Sequence, residues 1–167
     1  MPISKLTKLK QGVALAALVT VLVMFLILWR GLGRQGPELA KYLAQATSPV
    51  ELRLGGVRMV VELADDTLER VRGLGGRLGL NQLAGMLFIF ETDGQPSFWM
   101  KDMRFPIDIM WLDDTGRVTE ITENVSPNTY PQIFKPSQPI RYVLELNARF
   151  ADNFNIKVGD SLKSNQL

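Results

Sequence analysis

The sequence predicts a mainly β fold with small α additions, a compact barrel- or sandwich-like domain of about seven short strands, preceded by one transmembrane helix. Three observations predict it. An uncharged run of 18 residues lies near the N-terminus, Gly12 to Trp29. From Val50 onward, short apolar or alternating runs are each closed by Gly, Pro, Asn or Asp, the pattern of strands and turns. No repeating strand–helix–strand rhythm runs through the chain, which argues against a doubly wound nucleotide-binding fold.

In chain order, residues 1–11 form a short tail carrying Lys5, Lys8 and Lys10. Residues 12–29, GVALAALVTVLVMFLILW, are apolar on every side, and as a helix they span roughly 27 Å, close to the hydrocarbon thickness of a bilayer. A cleaved signal peptide has a shorter apolar stretch and ends in small residues, whereas this one ends in Trp29 and Arg30, an interfacial pairing. Membrane lipid around residues 12–29 is therefore the first expected partner. The slight basic excess ahead of the helix favours a cytoplasmic N-terminus and an extracytoplasmic domain. Gly12 and Ala16, four apart, read as lipid-facing filler rather than a helix-pairing motif. Residues 30–49 are a connector: a glycine-rich exit, then a short helix begun by Pro37 and ended by Ser48 and Pro49.

Residues 50–167 hold the β-rich domain. Gly55-Gly56 between ELRL and VRMVVEL is a two-residue hairpin signal. Asp66 and Glu69 have capping-box spacing, opening a short helix through Arg72 that Gly73 stops. Gly85–Phe90 reads as a buried strand, followed by strands at Ser97–Met100 and Ile107–Leu112. The turn Asp113-Asp114-Thr115-Gly116 leads into the alternating RVTEITENV, and Arg141–Asn147 is another strand. A helical turn over Arg149–Phe154 precedes IKVGDSL, with a late turn at Gly159-Asp160. Gly73, Gly75, Gly76 and Gly79 lack the preceding strand that a phosphate-cradling loop requires.

Composition removes several functions. The chain has no cysteine and no histidine, so disulfides, thiolate or imidazole zinc sites, and Ser-His-Asp or Cys-His catalysis are excluded. No metal site and no cofactor are expected. The net charge is +2, but six of the 19 basic residues precede Ser48 against one acid, Glu38. The remainder carries 13 bases and 16 acids, so nucleic acid is not an expected partner.

The run ERVRGLGGRLGL, then GMLFIF, FWMKDMRFPIDIMWLDDTGRV, YVLELNA and IKVGDSL resembles the domain-of-unknown-function 192 family over residues 57–163. The resemblance implies a small β-rich fold, often exported or anchored, with no assigned activity. It maps the family's recurrent polar positions onto Arg70, Arg77, Lys101, Asp108 and Glu145, with Gly85, Met86, Trp99 and Pro106 between them. The family usually has Asn where this chain has Asp102, and Met or a similar residue where it has Gly75-Gly76.

Asp108 and Glu145 interrupt apolar strands, and an isolated buried carboxylate is costly. Asp108 is thus expected to have a hydrogen-bonding or cationic partner, with Lys101, Arg77, Arg70 and Arg141 the candidates. The functional reading brings Asp108, Glu145, Lys101 and an arginine to one cleft walled by Trp99, giving Arg70, Arg77, Trp99, Lys101, Asp108 and Glu145 as ligand-binding candidates. The structural alternative is an internal ion-pair network. Trp111 and Met86 read as core. The proline-rich segment 124–139 reads as a surface loop, with Tyr130 and Phe134 as partner contacts. The expected function is binding, either of a cell-envelope ligand or of a membrane-protein partner. A hydrolase using Asp108 and Glu145 as acid and base, or a structural accessory subunit, are the alternatives.

Overall fold

Two glycines with φ of +55° and +86°, Gly55 and Gly56, turn β1 (Val50–Leu54) directly into β2 (Val57–Ala64), with Leu54 opposite Val57. Positive φ at both central positions matches the twist of an antiparallel hairpin, and only glycine adopts it there without strain. The computed structural model describes residues 49–164. The anchor at 12–29 and the connector helix lie outside them. Among the described residues, no helix is long and apolar enough to cross a membrane.

After β2, Asp66 accepts the Glu69 N–H at 2.8 Å while the Glu69 carboxylate accepts the Asp66 N–H, a complete capping box that starts α1 (Thr67–Arg72). Gly73, at φ +50°, ends it. The chain then enters β3 (Ala84–Gly94) parallel to β2, with Val61 opposite Gly85. One β–α–β unit is therefore present where the sequence reading expected no such rhythm. Parallel neighbours cannot be joined by a tight turn, and the capped helix supplies the crossover.

β4 (Ile107–Leu112) is buried at all six positions. β5 (Val118–Val125) and β6 (Ile140–Asn147) flank it, and α2 (Phe150–Phe154) leads toward β7 (Leu162–Ser164). The sheet order is β5-β4-β6-β3-β2-β1-β7, antiparallel except for β2–β3. The sheet curls until its ends meet: Arg117 bridges Ser161, and the Val118 N–H reaches the Asp160 carbonyl at 2.8 Å.

Ser97–Met100 is not the strand that the sequence predicts. Only Phe98 pairs, in an isolated bridge to Phe134. Pro96 and Pro106 bracket the segment, and Asp102 reverses it with φ +58°. Phe98 and Met100 instead pin a loop onto the sheet, and the seventh strand is Leu162–Ser164.

Alternation along the strands gives the sheet two apolar faces. The inner one joins Leu52, Met59, Val61, Met110, Leu144 and Leu146, closed by Phe150 and Ile156. The outer one carries Met86, Phe88, Ile109, Trp111 and Val143 under Leu74, Phe98 and Met100. Phe98 stands edge-on to both Phe88 and Trp111, at 4.9 and 5.5 Å. The Trp111 indole N–H donates to Thr122 Oγ1 at 2.9 Å, so Trp111 is core, as expected.

Candidate functional site

Strand register decides which charges can meet. Ile109 of β4 and Met86 of β3 both pair with Glu145 of β6, placing Glu145 on the outer face with Trp111 and Val143. Asp108 pairs with Leu146, one residue further on, and so lies on the inner face with Met110 and Leu144. A one-residue offset on a pleated sheet sends side chains to opposite sides. The expected cleft containing both carboxyls does not form, and they cannot act as an acid–base pair on one substrate.

Asp108 is completely buried, and its expected cationic partner is absent among the described residues. Its carboxyl oxygens instead accept backbone N–H groups from Asn124 at 2.8 Å, Arg149 at 3.0 Å and Ala151 at 2.9 Å. Asn124 and Arg149 both have left-handed φ, +52° and +66°, so Asp108 ties down two unusual backbone positions and the start of α2. Its role is architectural. Of the other candidate partners, Arg141 pairs with Asp93 at 2.6 Å.

Glu145 is set close to β3 because residue 85 is glycine: a Cβ there would lie 2.5 Å from the Glu145 carbonyl oxygen. Glu145 is 6% exposed as a residue, its side chain makes no hydrogen bond among the described residues, and it lines a cavity of about 980 Å³ beside α1 and the 97–106 loop. Burial pushes the Glu145 carboxyl up to about 8, with the Arg77 charge pulling in the other direction. Arg77 does not line the cavity. Its guanidinium grips Glu62 with two hydrogen bonds, one of 2.7 Å, and this pairing raises Arg77 and lowers Glu62 from their ordinary values.

The rest of the cavity combines an apolar wall with a cationic rim. Leu74, Phe88, Phe90, Phe98 and Trp99 line it, and Trp99 is half exposed. Arg70 stacks 5.5 Å from the Phe90 ring centre and donates to the Asp65 and Ile89 carbonyls, the latter at 2.9 Å. Arg72, Lys101 and Arg104 also line it, and none makes an ion pair among the described residues. Asp102 is the acid at the rim.

The structure thus gathers four of the six predicted residues, Arg70, Trp99, Lys101 and Glu145, and separates Arg77 and Asp108 from them. Sequence reasoning missed Arg72, Arg104, Phe88 and Phe90. The only local hint was that Lys101 and Arg104 flank the turn at Asp102. Tyr130 is half exposed, whereas Phe134 is partly buried against the outer core through its bridge to Phe98. Among the described residues, no cluster of Asp and Glu is placed to hold a metal ion.

A model of the domain-of-unknown-function 192 family, described as uncharacterized ACR, matches residues 50–164. The chain belongs to this family. Two solved structures are similar to the domain. One, from Sinorhizobium meliloti and described only as a candidate transcription regulator, is 31% identical with a TM-score of 0.69, over 73% of this chain and 98% of that one. The other, a Novosphingobium aromaticivorans protein of unknown function, is 30% identical with a TM-score of 0.64, over 69% and 84%. No curated protein matches. The described residues of this chain form a compact unit with its own core.

Proposed function

We propose that this member of the domain-of-unknown-function 192 family is a membrane-anchored binding module, with residues 12–29 as its anchor and the cavity of its extracytoplasmic domain as its ligand site. One observation carries the binding reading: about 980 Å³ of space joins an aromatic wall, cations that make no ion pair and a buried carboxyl that makes no hydrogen bond among the described residues. Ligand sites are built this way, apolar lining with a few convergent polar groups. Turnover is the weaker reading, because the other carboxyl on Glu145's face of the sheet, Glu62, is held in a two-bond pair by Arg77, and Asp108 lies on the opposite face.

The probe that tests this is 1-anilinonaphthalene-8-sulfonate, titrated into residues 49–167 and followed by fluorescence and calorimetry. One saturable site is expected, and Trp99→Ala with Phe90→Ala together should weaken it about thirtyfold, since each aromatic contributes on the order of 1 kcal/mol. Absence of saturable binding, or indifference to both substitutions, defeats the reading and leaves a structural accessory role.

The anchor rests on the unbroken apolar stretch and its Trp29-Arg30 border. Full-length protein is expected to stay with membranes through an alkaline carbonate wash, while residues 49–167 stay in the supernatant. Release of the full-length chain by that wash rules the anchor out.

A further inference from the structure

Glu145 is more than nine-tenths buried as a residue, and its carboxyl makes no hydrogen bond among the described residues, an exception in folded proteins, where such groups find partners. Glu145 faces a cavity, so its missing partner can come from outside the chain. The groups around it are countable. From the segment after α1 comes Arg77, already committed to Glu62 of β2. α1 contributes Arg70 and Arg72 to the same cavity, and the 97–106 loop contributes Lys101, Asp102 and Arg104. The flanking strands put Met86 and Ile109 directly beside it, with the Arg77-bound Glu62 beyond Met86 on the same face. Cations thus dominate the rim, and the one group that can place negative charge at the base is Glu145.

Resting on the binding reading above, we infer that the cavity is a site for an amphipathic anion, whose charged head sits among Arg72, Lys101 and Arg104, whose apolar body lies on Phe88, Phe90 and Trp99, and which docks only while Glu145 holds its proton. A protonated Glu145 adds no charge and offers an O–H donor to the bound molecule. Once ionised, it sets a negative charge in a poorly solvated space facing the incoming anion, where Coulomb repulsion is little screened. Since burial raises Glu145 to about 8, the change falls just above neutral pH. Protonated Glu145 at neutral pH therefore leaves the rim cations unopposed except by Asp102.

The test compares two probes of similar shape on residues 49–167, the anion 1-anilinonaphthalene-8-sulfonate and the uncharged N-phenyl-1-naphthylamine. At low salt the anion is expected to bind about tenfold tighter than the neutral probe, an advantage that added salt erodes. Charge reversal with Lys101→Glu and Arg104→Glu removes that advantage and leaves the neutral probe unaffected. Raising the pH from 6.5 to 9.5 weakens the anion about thirtyfold in the wild type, as the protonated fraction falls, but less than about twofold in Glu145→Gln, which keeps shape and a donor without the charge. Circular dichroism on each variant shows whether it is folded.

If neither probe binds, the binding reading itself fails. If both bind equally and charge reversal changes neither, the cavity is a ligand site but the anion assignment is wrong. A pH-independent anion affinity in the wild type overturns the proton requirement. Competition identifies the source of the anion: displacement by monomeric decanoate points to a free acid, and displacement by phosphatidylglycerol vesicles but not phosphatidylcholine vesicles points to a lipid. Displacement by neither decanoate nor phosphatidylglycerol overturns the assignment.

Discussion

Asp108→Ala is expected to cost about 4–6 kcal/mol, most of the stability of a domain this size. Three backbone N–H groups, of Asn124, Arg149 and Ala151, lose their acceptor at once. Each stranded buried donor costs about 1–3 kcal/mol, and the small cavity left by the carboxyl adds to that. The damage is not confined to one bond, because the first two donors sit at left-handed positions that ordinary residues occupy only when held there. Asp108→Asn keeps the volume but can present only one acceptor oxygen, turning an NH₂ toward one of the donors. Its loss should be intermediate, about 2–3 kcal/mol. Urea unfolding of residues 49–167, followed by circular dichroism, reads both. Because Asp108 lies on the inner face, Asp108→Asn should leave the anilinonaphthalene sulfonate affinity unchanged. A wild-type midpoint for Asp108→Ala would mean that water satisfies those amides, and a loss of probe binding in the still-folded Asp108→Asn would mean that Asp108 reaches the cavity after all.

How much of this was legible depends on the distance over which each feature is decided. The Gly55-Gly56 hairpin and the Asp66–Glu69 capping box are settled within a few residues, and both stand as read. Burial of Asp108 and Glu145 was legible as well, since each interrupts an apolar strand. The face each one points to was not. That depends on β4 pairing with β6 across more than thirty residues, and a slip of one residue would have put the two carboxyls together. Asp108's partners were hidden for a related reason: backbone amides have no sequence signature, so a buried acid invites the search for a base. Arg72 and Arg104 lie in separate segments of the chain. The β2–α1–β3 crossover and the loop pinned by Phe98 bring them to one rim. Leu162–Ser164 escaped notice because three residues make no pattern, while Ser97–Met100 made one without a neighbouring strand to join.

Glu145→Gln should have the opposite effect on stability to Asp108→Ala, and one that depends on pH. Burial raises the Glu145 carboxyl from 4.5 to about 8 in the folded protein, against the pull of Arg77. Between those values the folded state holds a proton that the unfolded chain has released. Stability therefore falls as pH rises through this window, and the favourable contribution is complete only below the unfolded value. Above about 8 the folded state must carry a desolvated negative charge, a cost of up to roughly 4–5 kcal/mol for a shift of this size. Glutamine has no proton to lose, so the variant lacks this slope. The two proteins should match within about 1 kcal/mol at pH 4.5, and the variant should be the more stable by several kcal/mol at pH 9. Urea midpoints at pH 4.5, 7 and 9 give the comparison directly. Arg77→Gln in the same series supplies an internal check, since removing the opposing cation should push the Glu145 transition still higher and widen the window. Should Glu145→Gln be the less stable protein at pH 9, the ionised carboxylate has a favourable partner in the fold, and the account of an unpartnered acid at the base of the cavity is wrong.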